Sequence, residues 1–187
     1  MKIYTIIGGV NGCGKSSLTG ALKAERTDLG MLIDVDKLNA ELGNVVAGGK
    51  EAVRKIQYCL ERGISFTQET TLSGIRTEKT IRQAKERGYQ IRLYYVGLDD
   101  ITDNLQRIRN RVAKGGHNIP KEDVERRYAS RYEDLLRILP YCDEATFFDN
   151  DNGFIEVAEY RNGEFLVKGT PEKRWVKELS AKLKNKI

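Results

Sequence analysis

The sequence predicts an α/β fold: a three-layer sandwich with a mostly parallel core sheet of five strands between helices, an arginine-rich helical lid, and a C-terminal β-hairpin plus helix. Three observations predict it. Strand-like and helix-like segments alternate nearly to the end, the pattern of a parallel sheet flanked by helices. A glycine-rich turn, Gly9-Val-Asn-Gly-Cys-Gly14-Lys15-Ser16, joins the first strand signal to the first helix signal. Near the end, an Asn-Gly pair joins two short strand-like runs, a strong local hairpin signal. The 187 residues suit one hydrophobic core, so one domain spanning 1–187 is expected.

Each element follows in order. Ile3-Tyr-Thr-Ile-Ile7 is apolar like a buried strand, and residues 17–25 follow as a helix. Met31-Leu-Ile33 reads as the second strand, ending at Asp34-Val-Asp36. A helical stretch follows, with a break expected at Gly48-Gly49. Glu51 to Arg62 then reads as helix, with Gly63 as its cap. Ile64-Ser-Phe-Thr67 reads as a third strand opening into Gln68-Glu69-Thr70-Thr71. A helix from Thr77 to Arg87 stops at Gly88, and Tyr89 to Val96 is a fourth strand. From Ile101 to Ala113, helical spacing puts Ile101, Leu105, Ile108 and Val112 on one face and Arg107 and Arg111 on another. Past Gly115-Gly116, Pro120 opens a helix to about Leu139, which puts the lid at about 105–135. Glu144 to Asp149 is a fifth strand. Residues 154–168 form the hairpin about Asn162-Gly163, and a helix from about Pro171 to Lys184 closes the chain.

Composition excludes several classes. No apolar run is long enough to cross a bilayer, and the N-terminal segment does not read as a signal peptide. Three widely spread cysteines, Cys13, Cys59 and Cys142, argue against a disulfide framework and for a reducing, cytoplasmic setting. The net charge is +5. The arginines concentrate between Arg107 and Arg137, which favours a local anion site over a diffuse nucleic-acid coat.

The glycine-rich turn fits Gly-x-x-x-x-Gly-Lys-[Ser/Thr], the phosphate-binding loop. Glycines let the backbone curl so that N–H groups converge on phosphate oxygens at the positive end of a helix. The expected ATP-binding residues are Gly9, Asn11, Gly12, Cys13, Gly14, Lys15, Ser16 and Ser17, with Arg126 from the lid. Within the loop the backbone binds, so the Cys13 thiol is incidental. Lys15 supplies a mobile charge for the β- and γ-phosphates and Ser16 a hydroxyl for Mg²⁺. No Asp-x-x-Gly follows the loop and no [Asn/Thr]-Lys-x-Asp reads guanine, so kinase-like phosphoryl transfer stands ahead of a switch GTPase.

A kinase also needs a base, groups that hold the acceptor, and cations for the moving phosphoryl. Asp34 and Asp36 stand at the carboxyl end of the second strand, the ligand edge of an open α/β sheet. Asp36 is the expected base, with helix capping as its alternative reading. Glu69, Thr70 and Thr71 stand on the same edge and suit a hydroxylated substrate. Arg111, Arg126 and Arg127 in the lid can close over the γ-phosphate, with Gly115-Gly116 as a hinge. The lone His117 is expected to be incidental. Asp99 offers a carboxylate to Mg²⁺, although capping of the next helix is the stronger reading. Two rivals stay open: a polynucleotide 5′-hydroxyl kinase, for which no base-stacking platform is seen, and a non-catalytic ATP-binding regulatory protein.

Taken together, Gly9–Ser16, Asp34-Val-Asp36, Glu69-Thr-Thr-Leu-Ser73, Arg111-Val-Ala-Lys-Gly-Gly-His-Asn-Ile-Pro120, Arg126-Arg127-Tyr128 and Asp149-Asn150 resemble the zeta-toxin-like kinases. The resemblance implies the phosphate-loop NTPase fold and the use of ATP with Mg²⁺. It implies a hydroxyl acceptor such as UDP-N-acetylglucosamine, with Asp36 as base, Glu69 and Thr70 on the acceptor, and lid arginines on the transferring group. An antitoxin protein is the partner it admits, although no element for one can be read.

Overall fold

Apolar side chains at consecutive positions of the central strands dictate the architecture. In the computed structural model, which describes residues 1–169 and 173–185, all six residues of β1 (Ile3–Gly8) are buried. So are seven of the eight in β4 (Gln90–Gly97). A strand buried on both faces needs helices above and below it.

The remaining strands are β2 (Met31–Asp34), β3 (Phe66–Thr70), β5 (Glu144–Asp149), β6 (Ile155–Arg161) and β7 (Glu164–Val167). They form one seven-stranded sheet in the order β2-β3-β1-β4-β5-β6-β7. The first five are parallel, and β6 and β7 are antiparallel additions at one edge. The five-stranded core is therefore present, and the hairpin extends it to seven. The hairpin turn bends through Asn162 and Gly163 at φ 54° and 84°, the positive pair that matches strand twist.

Alternation along β1 divides the core. Tyr4 and Ile6 face a layer that includes α3 (Val45–Arg62), α4 (Arg76–Glu86), α6 (Lys121–Ile138) and α7 (Arg174–Lys184). Ile7 faces α1 (Lys15–Glu25) through Leu18 and Leu22. A smaller cluster joins Val10 of the loop to Ile108 of α5 (Ile101–Ala113) and Val124 of α6, fastening the lid to the body. Because β1 lies between β3 and β4, connections leave it in both directions. A crevice opens beyond the carboxyl ends of β1, β2 and β3.

Several boundaries differ from the sequence reading. The expected break at Gly48-Gly49 lies earlier: α2 (Val35–Leu42) ends at Gly43, and α3 runs through both glycines. Asn44 starts α3 by accepting from Val46 N (2.8 Å) and Ala47 N (3.2 Å), and this cap outweighs glycine's low helix propensity. A Cβ on Gly48 would lie 2.6 Å from Asn39 N, so the glycine permits close approach of α2 and α3. Gln68, Glu69 and Thr70 belong to β3 rather than to a loop, since they pair with β1. Asp34, not Asp36, caps α2, accepting from Lys37 N at 3.2 Å. Asp100 caps α5, while Asp99 accepts from Trp175 N of α7 at 2.8 Å. The expected start of the last helix at Pro171 lies outside the described residues, and α7 begins at Arg174.

Candidate active site

The loop takes its shape from glycine and is held there by its neighbours. Gly12 has φ 82° and Gly14 φ 107°, a region that side chains disfavour. A Cβ on Gly12 would lie 3.1 Å from Asn104 Cα, against the backbone of α5. Two buried asparagines and an arginine then pin the turn. Asn104 Nδ2 donates to Asn11 O at 2.8 Å, and Asn150 Nδ2 to Cys13 O at 2.8 Å. Arg127 Nη1 donates to Asn11 Oδ1 at 2.6 Å, so both lid helices grip one loop residue. Arg107 Nη2 donates to Asn150 O at 2.6 Å. Behind this, Asp149 is 1% exposed, accepts from Trp175 Nε1 at 2.9 Å and pairs with Lys173 at 3.0 Å.

Two cavities open on the crevice. The first, about 270 Å³, lies against the loop and includes Gly12, Gly14, Ser16, Ser17, Arg107, Arg111 and Asn150 in its lining. The second, about 540 Å³, lies over the ends of β2 and β3 and includes Asp34, Gln68, Thr70, Thr71, Arg76 and Arg127. Asn11, Lys15, Asp36 and Glu69 line both. The Lys15 ammonium lies along the loop, donating to Gly9 O at 2.9 Å and Val10 O at 3.3 Å.

Glu69 is the best-held carboxylate of the crevice. Its Oε2 accepts from Ser16 Oγ at 2.8 Å and its Oε1 from Thr19 Oγ1 at 2.6 Å. Burial pushes its carboxyl above the usual range. The Thr19 and Ser16 hydrogen bonds pull it down, and the charge on Asp34, its neighbour across the β2–β3 pair, pushes it up. Asp36, in the first turn of α2, is exposed and makes no hydrogen bond or ion pair among the described residues. Thr70 Oγ1 lies 3.3 Å from Thr77 Oγ1 and accepts from Leu72 N at 3.0 Å.

Metal fit follows from the donor set. Among the described residues, no group of three or more His, Cys, Asp or Glu could hold an ion. The adjacent Ser16 hydroxyl and Glu69 carboxylate are hard oxygen ligands, which fits Mg²⁺ bound through one or two protein oxygens, nucleotide phosphates and water.

The crevice thus gathers nearly all of the expected residues. Arg126 is an exception: it donates to Asp123 Oδ1 at 2.6 Å and lines neither cavity. Gly9 and Cys13 stand behind the turn, and burial pushes the Cys13 thiol up. His117 contributes only its carbonyl, which accepts from Arg111 Nη2 at 2.8 Å. Sequence reading assigned no site role to Thr19, Asn104, Arg107 or Gln68. Thr19 alone had a local signal, since it lies one helical turn beyond Lys15. The others meet the site through contacts distant in sequence.

A glycine-rich loop entering a helix beneath a parallel sheet, with a helical lid above, defines a phosphate-loop kinase fold. The chain belongs to the zeta toxin family, whose model matches residues 48–152. The loop itself lies outside that match and is independent support. An uncharacterized protein of Haemophilus influenzae is 34% identical over 127 residues, 64% of this chain and 88% of its own length. Among solved structures, AvrRxo1-ORF1:-ORF2 with ATP superposes with a TM-score of 0.72 at 18% identity, over 98% of this chain and 63% of that one. This chain therefore spans under two thirds of that relative's length. The PezAT toxin–antitoxin system of Streptococcus pneumoniae follows with a TM-score of 0.63 at 16% identity, over 99% of this chain and 85% of that one. At these identities the likeness establishes the fold. No helix among the described residues is long and apolar enough to cross a membrane.

Proposed function

We propose that this protein is an ATP- and Mg²⁺-dependent kinase that transfers the γ-phosphoryl group to a hydroxyl of a small molecule, with UDP-N-acetylglucosamine as the first acceptor to test. One observation carries this reading. The loop cavity and the strand-end cavity share Asn11, Lys15, Asp36 and Glu69 in their walls. A triphosphate on the loop and a hydroxyl beside Asp36 would lie in one continuous space. A protein that merely bound ATP would need only the first cavity.

The chemistry follows from that shared wall. The acceptor oxygen attacks the γ-phosphorus as the bond from phosphorus to the β,γ-bridging oxygen breaks. ADP leaves, and the hydroxyl proton passes to Asp36. Lys15 swings from the loop carbonyls to the β- and γ-phosphates. Arg111 on the loop side and Arg127 on the acceptor side bring charge to the transferring group, where it counts most in the transition state. Thr70 and Thr71 hold the acceptor. Ser16 and Glu69 would hold Mg²⁺, which neutralises charge across the β- and γ-phosphates. Lid helices α5 and α6 exclude water from the space.

Incubating the protein with γ-labelled ATP and a small-molecule extract should yield a labelled product that mass analysis identifies. Asp36→Asn should bind ATP nearly as the natural protein does and transfer phosphate about 10²–10⁴ times more slowly. Undiminished turnover in that variant would falsify the base assignment.

A further inference from the structure

Gln68 stands in β3 beside Glu69, and the proposed reaction leaves it without a task. It is 6% exposed yet lines the 540 Å³ cavity near Asp34 and Thr70. Its backbone is fixed from both sides, opposite Ile6 of β1 and Ile33 of β2. Its Oε1 accepts from Tyr4 Oη at 2.5 Å. Tyr4 is wholly buried and stacks on Phe66 at a ring separation of 4.3 Å. Burial pushes its phenol far above the usual range, so the hydroxyl keeps its proton and must donate it. That requirement orients the amide, because only its oxygen can accept. The amide nitrogen is turned away from Tyr4 and has no partner among the described residues. Its donors are open to the cavity, where a bound molecule can accept from them.

Arg76, at the rim of the same cavity, is a second group that can only donate. Its guanidinium makes no hydrogen bond or ion pair among the described residues. Asp34 and Asp36 line the cavity as carboxylates. The pocket therefore offers acceptors for a hydroxyl in one part and donors in another. We infer that Gln68 is a specificity-determining residue, whose side-chain amide nitrogen donates to a carbonyl or phosphoryl oxygen of the molecule being phosphorylated. The inference rests on the kinase reading above.

Two variants separate this role from a structural one. Gln68→Glu keeps an oxygen for the Tyr4 hydroxyl and replaces the donor with an acceptor. Tyr4→Phe combined with Gln68→Leu removes both members of the buried hydrogen bond and the donor with them. Each is incubated with γ-labelled ATP and the same small-molecule extract as the natural protein. The labelled product is quantified at limiting acceptor, and the KM for ATP and the melting temperature are measured in parallel. Both variants should form the product about tenfold more slowly, with KM for ATP unchanged. Product formation within twofold of the natural rate in Gln68→Glu overturns the inference. So does the natural rate in the double variant, since position 68 then carries no donor and the Tyr4 hydroxyl is gone. If the natural protein labels no small molecule at all, the kinase reading fails first and takes this one with it.

Discussion

The two walls of the crevice are built on opposite plans. The loop from Gly9 to Ser16 is immobilised: Asn104, Asn150 and Arg127 hold its carbonyls and its one amide side chain, and Gly12 and Gly14 allow its curvature. The facing wall keeps the Asp36 carboxyl group, the Gln68 amide nitrogen and the Arg76 guanidinium without partners among the described residues, while Asp34 caps α2 and the Gln68 oxygen accepts from Tyr4. Under the proposed reaction the two walls have different tasks. A phosphate presents the same oxygens in every nucleotide, so backbone geometry can be fixed in advance for it. An acceptor differs from one kinase to the next, so its recognition falls to side chains held ready but unpaired.

The comparison breaks most visibly at Lys15. Lys15→Ala removes the mobile cation from the rigid wall and should lower phosphoryl transfer roughly a hundred- to a thousandfold. It should also weaken nucleotide binding, measured by calorimetry with ADP and Mg²⁺. A variant that binds and turns over nucleotide as before would mean that the triphosphate does not lie on this loop. Asn150→Ala tests the rigidity itself. It abolishes the hydrogen bond to Cys13 O and leaves that carbonyl without this donor. KM for ATP should rise about tenfold, while KM for the acceptor stays unchanged. An equal rise in both constants would show that the walls are mechanically one unit.

Much of the first wall was legible in the sequence and much of the second was not. Gly9–Ser16 announces its geometry because the constraint is local: glycine spacing, a preceding apolar run and a following helix. The extents of helix α5 and strand β5 were equally plain, because apolar spacing acts within a few residues, although the cap of α5 is Asp100 and not Asp99. Asn104 and Asn150 carry no such mark. Their task arises when α5 and the end of β5 are brought against the loop, 93 and 137 residues away from their partners in sequence. Read locally, Gln68 marks the start of a loop. Its meaning depends on Tyr4, which no spacing rule connects to it. The misplacement of the break at Gly48-Gly49 has the same origin. Glycine read locally signals a stop, whereas here it serves close packing between two helices.

That packing supplies the smallest test of the comparison. Helix α2 carries Asp36 and Asn39, both lining the 540 Å³ cavity proposed for the acceptor. Gly48 of α3 is the residue against which Asn39 rests. A Cβ added there would approach Asn39 N at 2.6 Å and Asn39 Cα at 2.8 Å, closer than carbon can lie to backbone without displacing it. Gly48→Ala should therefore push α2 outward and cost about 1–3 kcal/mol of stability, opposed by the better helix propensity of alanine, about 1 kcal/mol. The displacement reaches the acceptor wall and leaves the loop alone. KM for the acceptor should rise a few-fold with KM for ATP unchanged, and the melting temperature should fall. A Gly48→Ala variant that is more stable and equally active would show that propensity outweighs packing here, and that the partner-free wall does not depend on the α2–α3 contact for its shape.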